Sequence, residues 1–146
     1  MIYKVFADTN VYLDFLMHRG SEWQEAENIF DLGEKRIIEV ITSASCLLNL
    51  MYIMGNHKLS RSLIVSHTEK ILTYSKLINP DNSTFQKALA SGFRDNEDAV
   101  QYYTAVAAGI DYFITSNNKD FKKSSAQLPV LTPKQFMKLY LKGLNR

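Results

Sequence analysis

The chain has 146 residues, 46% of them hydrophobic and 22% charged, which suits one globular domain over residues 1–146 and leaves two domains cramped. A formal charge of +2 permits nucleic-acid binding without demanding it, and the single cysteine, Cys46, excludes an intrachain disulfide framework and a CxxC metal site. No apolar run approaches a membrane span and no export signal opens the chain, so a cytoplasmic protein with no membrane partner is expected.

Residues 2–7 are an apolar run that reads as a buried strand, stopped by Asp8-Thr9-Asn10. Val11, Leu13, Phe15 and Leu16 then fit a short helix, which His18-Arg19-Gly20-Ser21 interrupts. A second helix is expected from Ser21, with Trp23, Ala26, Ile29, Phe30 and Leu32 at helical spacing and Gly33 as its stop. Ile37-Ile38-Glu39-Val40-Ile41 is rich in β-branched residues and reads as the second strand. Thr42-Ser43-Ala44-Ser45 offers hydroxyls to start a core helix over 45–55, apolar nearly all round.

An amphipathic helix is expected between Asn56 and Tyr74, its apolar side formed by Leu63, Ile64, Ile71, Leu72 and Tyr74. Residues 76–78 read as a short strand, and the turn cluster Asn79-Pro80-Asp81-Asn82-Ser83 precedes a helix of Phe85, Ala88 and Leu89 that ends at Gly92. A longer helix runs from about Asp95 to Ala108 with Gly109 as its stop, followed by a strand over 110–115. Leu128-Pro129-Val130-Leu131 reads as a short edge strand, and Thr132-Pro133-Lys134-Gln135 as a capping box with Pro at the first helical position. Strands alternating with helices predict a parallel sheet covered on both faces.

In such a sheet ligands collect outside the carboxyl ends of the strands, which is where Asp8 and Asp120 fall after their strands. Asp8 or Asn10 would equally serve as a helix cap, and Asp95, Glu97 and Asp98 suit the start of a helix. Capping does not explain why acids recur at one sheet edge. Asp95 and Asp98 share a helix face while Glu97 is turned away, so the three cannot all point at one ion. Converging carboxylates repel and need a cation or a proton, and hard oxygen ligands without clustered His or Cys suit Mg²⁺ or Mn²⁺. The chemistry this implies is phosphodiester hydrolysis.

Ala7-Asp8-Thr9-Asn10, then Glu97-Asp98-Ala99-Val100-Gln101, then Ile114-Thr115-Ser116-Asn117-Asn118-Lys119-Asp120-Phe121 together resemble the PIN domain, in its order and across essentially the whole chain. The resemblance implies a Rossmann-like three-layer α/β/α fold with a central, mainly parallel sheet, and an acidic centre that binds divalent metal, Mg²⁺ or Mn²⁺, to cleave RNA. It also implies a VapC-like toxin of a type II pair, with a small antitoxin protein as partner and a homodimeric state. Asp8 matches the first family acid and Asp98 the third. The second falls at Asn49 and the fourth at Asn117, where amides leave neutral oxygen ligands. Glu97 and Asp120 are the nearby acids that could compensate, joining Asp8 and Asp98 as metal ligands, while Asp120 could equally be a cap. Thr9, Asn10, Ser43 and Lys119 are the candidates to orient substrate or hold RNA, with Lys122 and Lys123 beside Lys119. The alternative is a catalytically weakened or inactive PIN domain that binds RNA or a protein partner.

Overall fold

The computed structural model describes residues 2–121 and 128–144. The chain runs β1 (Lys4–Ala7), α1 (Thr9–Met17), α2 (Trp23–Glu34), β2 (Glu39–Ser43), α3 (Ala44–Asn56), α4 (Arg61–Tyr74) and β3 (Ser75–Ile78). It continues through α5 (Asn82–Leu89), α6 (Asn96–Ala107), β4 (Tyr112–Ile114), a 3-10 turn (Asn118–Phe121), β5 (Val130–Leu131) and α7 (Pro133–Leu144). The strands form a five-stranded sheet in the order β3-β2-β1-β4-β5, parallel throughout. β1 is central, so the chain builds outward on one side through β2 and β3 and then returns to the other side with β4. The reversal opens a crevice at the carboxyl ends of β1 and β4, where open α/β sheets bind ligands.

Side chains alternate across this sheet as strand geometry requires. Val5, Ala7, Val40 and Ile114 point into a core shared with α1, α2, α3, α4 and α7. Phe6, Ile41 and Phe113 point the other way, into a core with Ala88 of α5 and Ala99, Tyr102 and Ala105 of α6. Phe6 and Phe113 stack at 4.9 Å between ring centroids, tying β1 to β4 on that face. These two cores make the expected three-layer α/β/α arrangement. Among the described residues no helix is long and apolar enough to cross a membrane.

Several expected boundaries shift, each for a local reason. Gly33 does not stop α2 but lies within it, where an added Cβ would sit 2.6 Å from Val40 Cγ2. The glycine therefore serves the close approach of helix to strand. α2 ends one residue later, where the Ile37 and Ile38 amides both donate back to Leu32 O and Arg36 takes a left-handed φ of 62°. That turn delays β2 to Glu39–Ser43 instead of 37–41. α4 begins at Arg61 and not near Asn56, because Lys58 turns the chain with φ 61° and Ser60 Oγ caps the Leu63 amide. Leu63 and Leu72, expected on its buried side, are exposed, while Thr68, Ile71 and Tyr74 are buried. α5 ends at Leu89 rather than Gly92. The Thr132 and Gln135 capping box forms as expected, the Thr132 amide donating to Gln135 Oε1 and the Gln135 amide to Thr132 Oγ1.

Candidate active site

Asp8 is the first residue beyond β1 and its amide donates to Ile114 O at the end of β4, which fixes it at the crevice. Its backbone is extended (φ −75°, ψ 160°) and Oδ1 accepts from the Thr9 amide at 2.8 Å, so it caps α1. The other oxygen, Oδ2, accepts from Thr115 Oγ1 at 3.2 Å. Below it, Thr42 Oγ1 donates to Ala7 O and closes the end of the strand. Cys46 Sγ, buried as packing, lies 4.0 Å from Asp8 Oδ1. Burial pushes the Asp8 carboxyl up to about 6, against the opposing help of the Thr9 amide and the Thr115 hydroxyl.

α6 delivers the second carboxylate. Asp95 caps the helix by accepting from the Asp98 amide at 2.9 Å, which places Glu97 and Asp98 in the first turn. Asp98 is half-buried and its carboxyl is pushed up to about 7, first by burial and then by the charges of Asp8, Asp95, Asp120 and Glu97. Two acids far apart in the sequence thus share one electrostatic environment. Among the described residues no Lys or Arg is ion-paired with any of these five acids.

The amides at positions 49 and 117 are each bonded to a neighbouring acid. Asn49, on α3, donates through Nδ2 to Glu97 Oε1 at 3.1 Å. Asn117 donates through Nδ2 to Asp120 Oδ2 at 2.9 Å, within the loop that becomes the 3-10 turn. Those bonds engage Glu97 and Asp120 at the wall of the crevice, and the four acids do not close into one shell. Among the described residues no three of His, Cys, Asp and Glu are gathered as a ligand set.

The remaining sequence-derived positions fall in different places. Thr9 is buried beside Asp8, and its Oγ1 is a buried polar side-chain atom with no hydrogen-bond partner among the described residues. Asn10 is exposed and accepts from Arg19 Nη2 at 3.2 Å. Ser43 is wholly buried, capping α3 through the Cys46 amide and bonding Gln101 Oε1 at 2.5 Å, so it presents no surface to a substrate. Lys119 is exposed on the 3-10 turn, whereas Lys122 and Lys123 lie outside the described residues.

Gln101 is a residue that sequence reasoning missed. Its Nε2 donates to Ser45 Oγ at 2.7 Å while Oε1 accepts from Ser43, so one buried amide joins α6 to the start of α3. The available signal was its spacing: Gln101 lies three residues after Asp98, on the same face of an otherwise apolar helix.

Such a site can do little with its own groups alone. Two carboxyls pushed up to about 6 and about 7, with no Lys or Arg ion-paired to them among the described residues, present oxygen donors suited to a hard cation. The set does not amount to a protein cage. It fits Mg²⁺ or Mn²⁺, since Mg²⁺ commonly keeps several waters and takes only one or two carboxylates from the protein.

The family model described as PIN domain matches residues 4–119. No curated protein sequence matches the chain significantly. Among solved structures, a toxin-antitoxin complex from Klebsiella pneumoniae is similar with a TM-score of 0.65 at 20% identity, covering 88% of this chain and 97% of that one. VapBC2 from Rickettsia felis, bound to a DNA fragment from its promoter, gives 0.65 at 17% identity over 88% and 98% of the two chains. Mycobacterium tuberculosis VapC20, a toxin that cleaves the sarcin-ricin loop, gives 0.64 at 14% identity over 85% and 98%. At these identities the likeness is one of fold.

Proposed function

The chain belongs to the PIN domain family, and from that premise we propose that it is a divalent-metal-dependent endoribonuclease whose centre is Asp8 and Asp98. The observation that carries this reading is the meeting of those two carboxyls, both held above the ordinary carboxylate range by burial, with Asp98 raised further by Asp8. A bound Mg²⁺ or Mn²⁺ would supply a water of lowered pKa and offset charge on the phosphate under attack.

The chain's own residues set up that chemistry. Asp8 and Asp98 would hold the ion, and the Thr9 amide and Thr115 hydroxyl fix the orientation of Asp8. Asn49 and Asn117 each hold a neighbouring acid by a hydrogen bond, Glu97 and Asp120, and these two would add negative charge around a bound ion. Gln101 locks the α6 start against α3 and so holds Asp98 in place. Lys119 and Asn10 lie exposed near the crevice, available to the RNA backbone.

The toxin-antitoxin assemblies among the structural neighbours support a small antitoxin as partner and a toxin role. The exposed Leu48 and Tyr52 on α3 are the surface we assign to the antitoxin or to a second copy in a homodimer. One domain spans residues 1–146 in this reading, and the compartment is the cytoplasm.

The test is cleavage of an RNA pool with Mg²⁺ or Mn²⁺, beside a chelated sample and Asp8→Ala. Cleavage confined to the metal-loaded wild type is expected, and equal cleavage in all samples would overturn the proposal. A second reading, a weakened centre that binds RNA or a partner without cutting, is favoured because among the described residues no three of His, Cys, Asp and Glu are gathered as a ligand set. RNA binding without cleavage under every metal condition would select it.

A further inference from the structure

The chain leaves α1 through His18, which adopts a left-handed φ of 49° and turns the backbone so that the Arg19 amide donates to Asp14 O. The Arg19 side chain then runs back along α1 toward the helix start. Nε donates to Asp14 Oδ1 at 2.7 Å and Nη2 to Asn10 Oδ1 at 3.2 Å. Asp14 is itself held, since its Oδ2 accepts from Ser116 Oγ at 2.6 Å.

Asn10, in α1, and Ser116, just beyond β4, each lie close in sequence to a residue of the acidic centre. Asn10 lies two residues beyond Asp8, and Ser116 directly follows Thr115, the donor to Asp8 Oδ2. Through Asp14 and Ser116 the guanidinium is tethered to the chain just beyond β4, and 40% of the Arg19 side chain is exposed. Arginine carries five N–H donors. Two are used, which leaves the Nη1 edge and one Nη2 hydrogen available. A guanidinium oriented by neighbouring acceptors loses less freedom when it pairs with a phosphate, and its fork matches two phosphate oxygens.

We propose that Arg19 is a phosphate-binding residue that holds the backbone of single-stranded RNA beside the Asp8 and Asp98 centre; this rests on the ribonuclease reading above. The acids of the crevice repel a polyanion, and a fixed cation at the rim draws the strand in and sets its register. Asp14 and Ser116 position the arginine and do not touch the RNA.

The experiment measures binding of a short single-stranded RNA in Ca²⁺ buffer across a series of salt concentrations. Wild type is expected to show salt-dependent binding, and Arg19→Gln to lose about tenfold in affinity with a slope of log K on log salt shallower by about 0.7, the signature of one lost single-strand phosphate contact. A role confined to bracing the α1 turn would change the melting temperature and leave the slope untouched. Arg19→Lys keeps a charge for Asp14 while losing the fork, so it keeps the slope and loses about threefold in affinity. Wild-type binding with unchanged slope and affinity in Arg19→Gln, or unchanged affinity in Arg19→Lys should the glutamine variant not fold, overturns the Arg19 assignment and leaves the ribonuclease reading standing. Absence of RNA binding by the wild type overturns both.

Discussion

Thr115 Oγ1 donates to Asp8 Oδ2 across 107 residues of sequence, joining the ends of β4 and β1 at the point where the sheet changes direction. Thr115→Val keeps the shape and removes the donor. The Asp8 carboxyl is then expected to rise above about 6, since a bond that favours its charged form is gone. Stability should fall by about 1–2 kcal/mol, because a buried acceptor is left unpaired. Carboxyl NMR titration reads the first effect and denaturant unfolding the second.

The raised carboxyls also set the pH dependence of stability. A carboxyl that binds its proton more tightly in the folded chain gives stability that is present near pH 4 and is lost as pH rises through the folded values of about 6 and 7. For Asp8 the displacement from 3.8 to about 6 corresponds to about 3 kcal/mol. Thermal melts in chelator should therefore fall from pH 5 to pH 8. Mg²⁺ added at pH 8 should restore the loss, and Asp98→Asn should flatten both responses.

The amide pairs invite the reverse substitution. Asn49→Glu replaces a donor to Glu97 with a second carboxylate, which repels in the metal-free protein and adds a ligand in the loaded one. The double variant with Asn117→Asp is expected to melt lower in chelator and to bind Mn²⁺ about tenfold more tightly than wild type, as titration calorimetry would show. Unchanged affinity would place both amides outside the reach of the ion.

Gln101→Leu should cost about 1–3 kcal/mol, because it removes the two buried hydrogen bonds to Ser43 and Ser45 that tie the start of α6 to α3, leaving the serine hydroxyls only each other. The RNA cleavage rate should fall further than the lost stability explains, since Asp98 rides on that helix turn. Comparing cleavage with the folded fraction at several temperatures separates the two.

Much of this arrangement is legible in the amino-acid order. Strand and helix periodicities place the layers, and Asp8, Asp81, Asp95 and Thr132 all cap the helices beside them. Positions decided by contacts between distant segments are harder to read. Gly33 looks like a helix stop because nothing nearby in the chain reveals Val40 pressed against it. Leu63 and Leu72 look like a core face although Thr68 takes the buried position, its hydroxyl satisfied by Ile64 O. At the crevice, residue types signal acids and amides, but their spacing does not say which pairs bond. That Asn49 donates to Glu97 and Asn117 to Asp120 is visible only in the folded chain.

The sheet order has a consequence for the birth of the protein. Asp8 is among the first residues made, but its partner Asp98 and its donor Thr115 belong to segments made after β1, β2 and β3. While the chain is being made, the crevice lacks the wall that α6 and β4 supply. On the proposed ribonuclease reading, the centre is assembled only once α6 and β4 have been made, so the chain could not cut its own message before then.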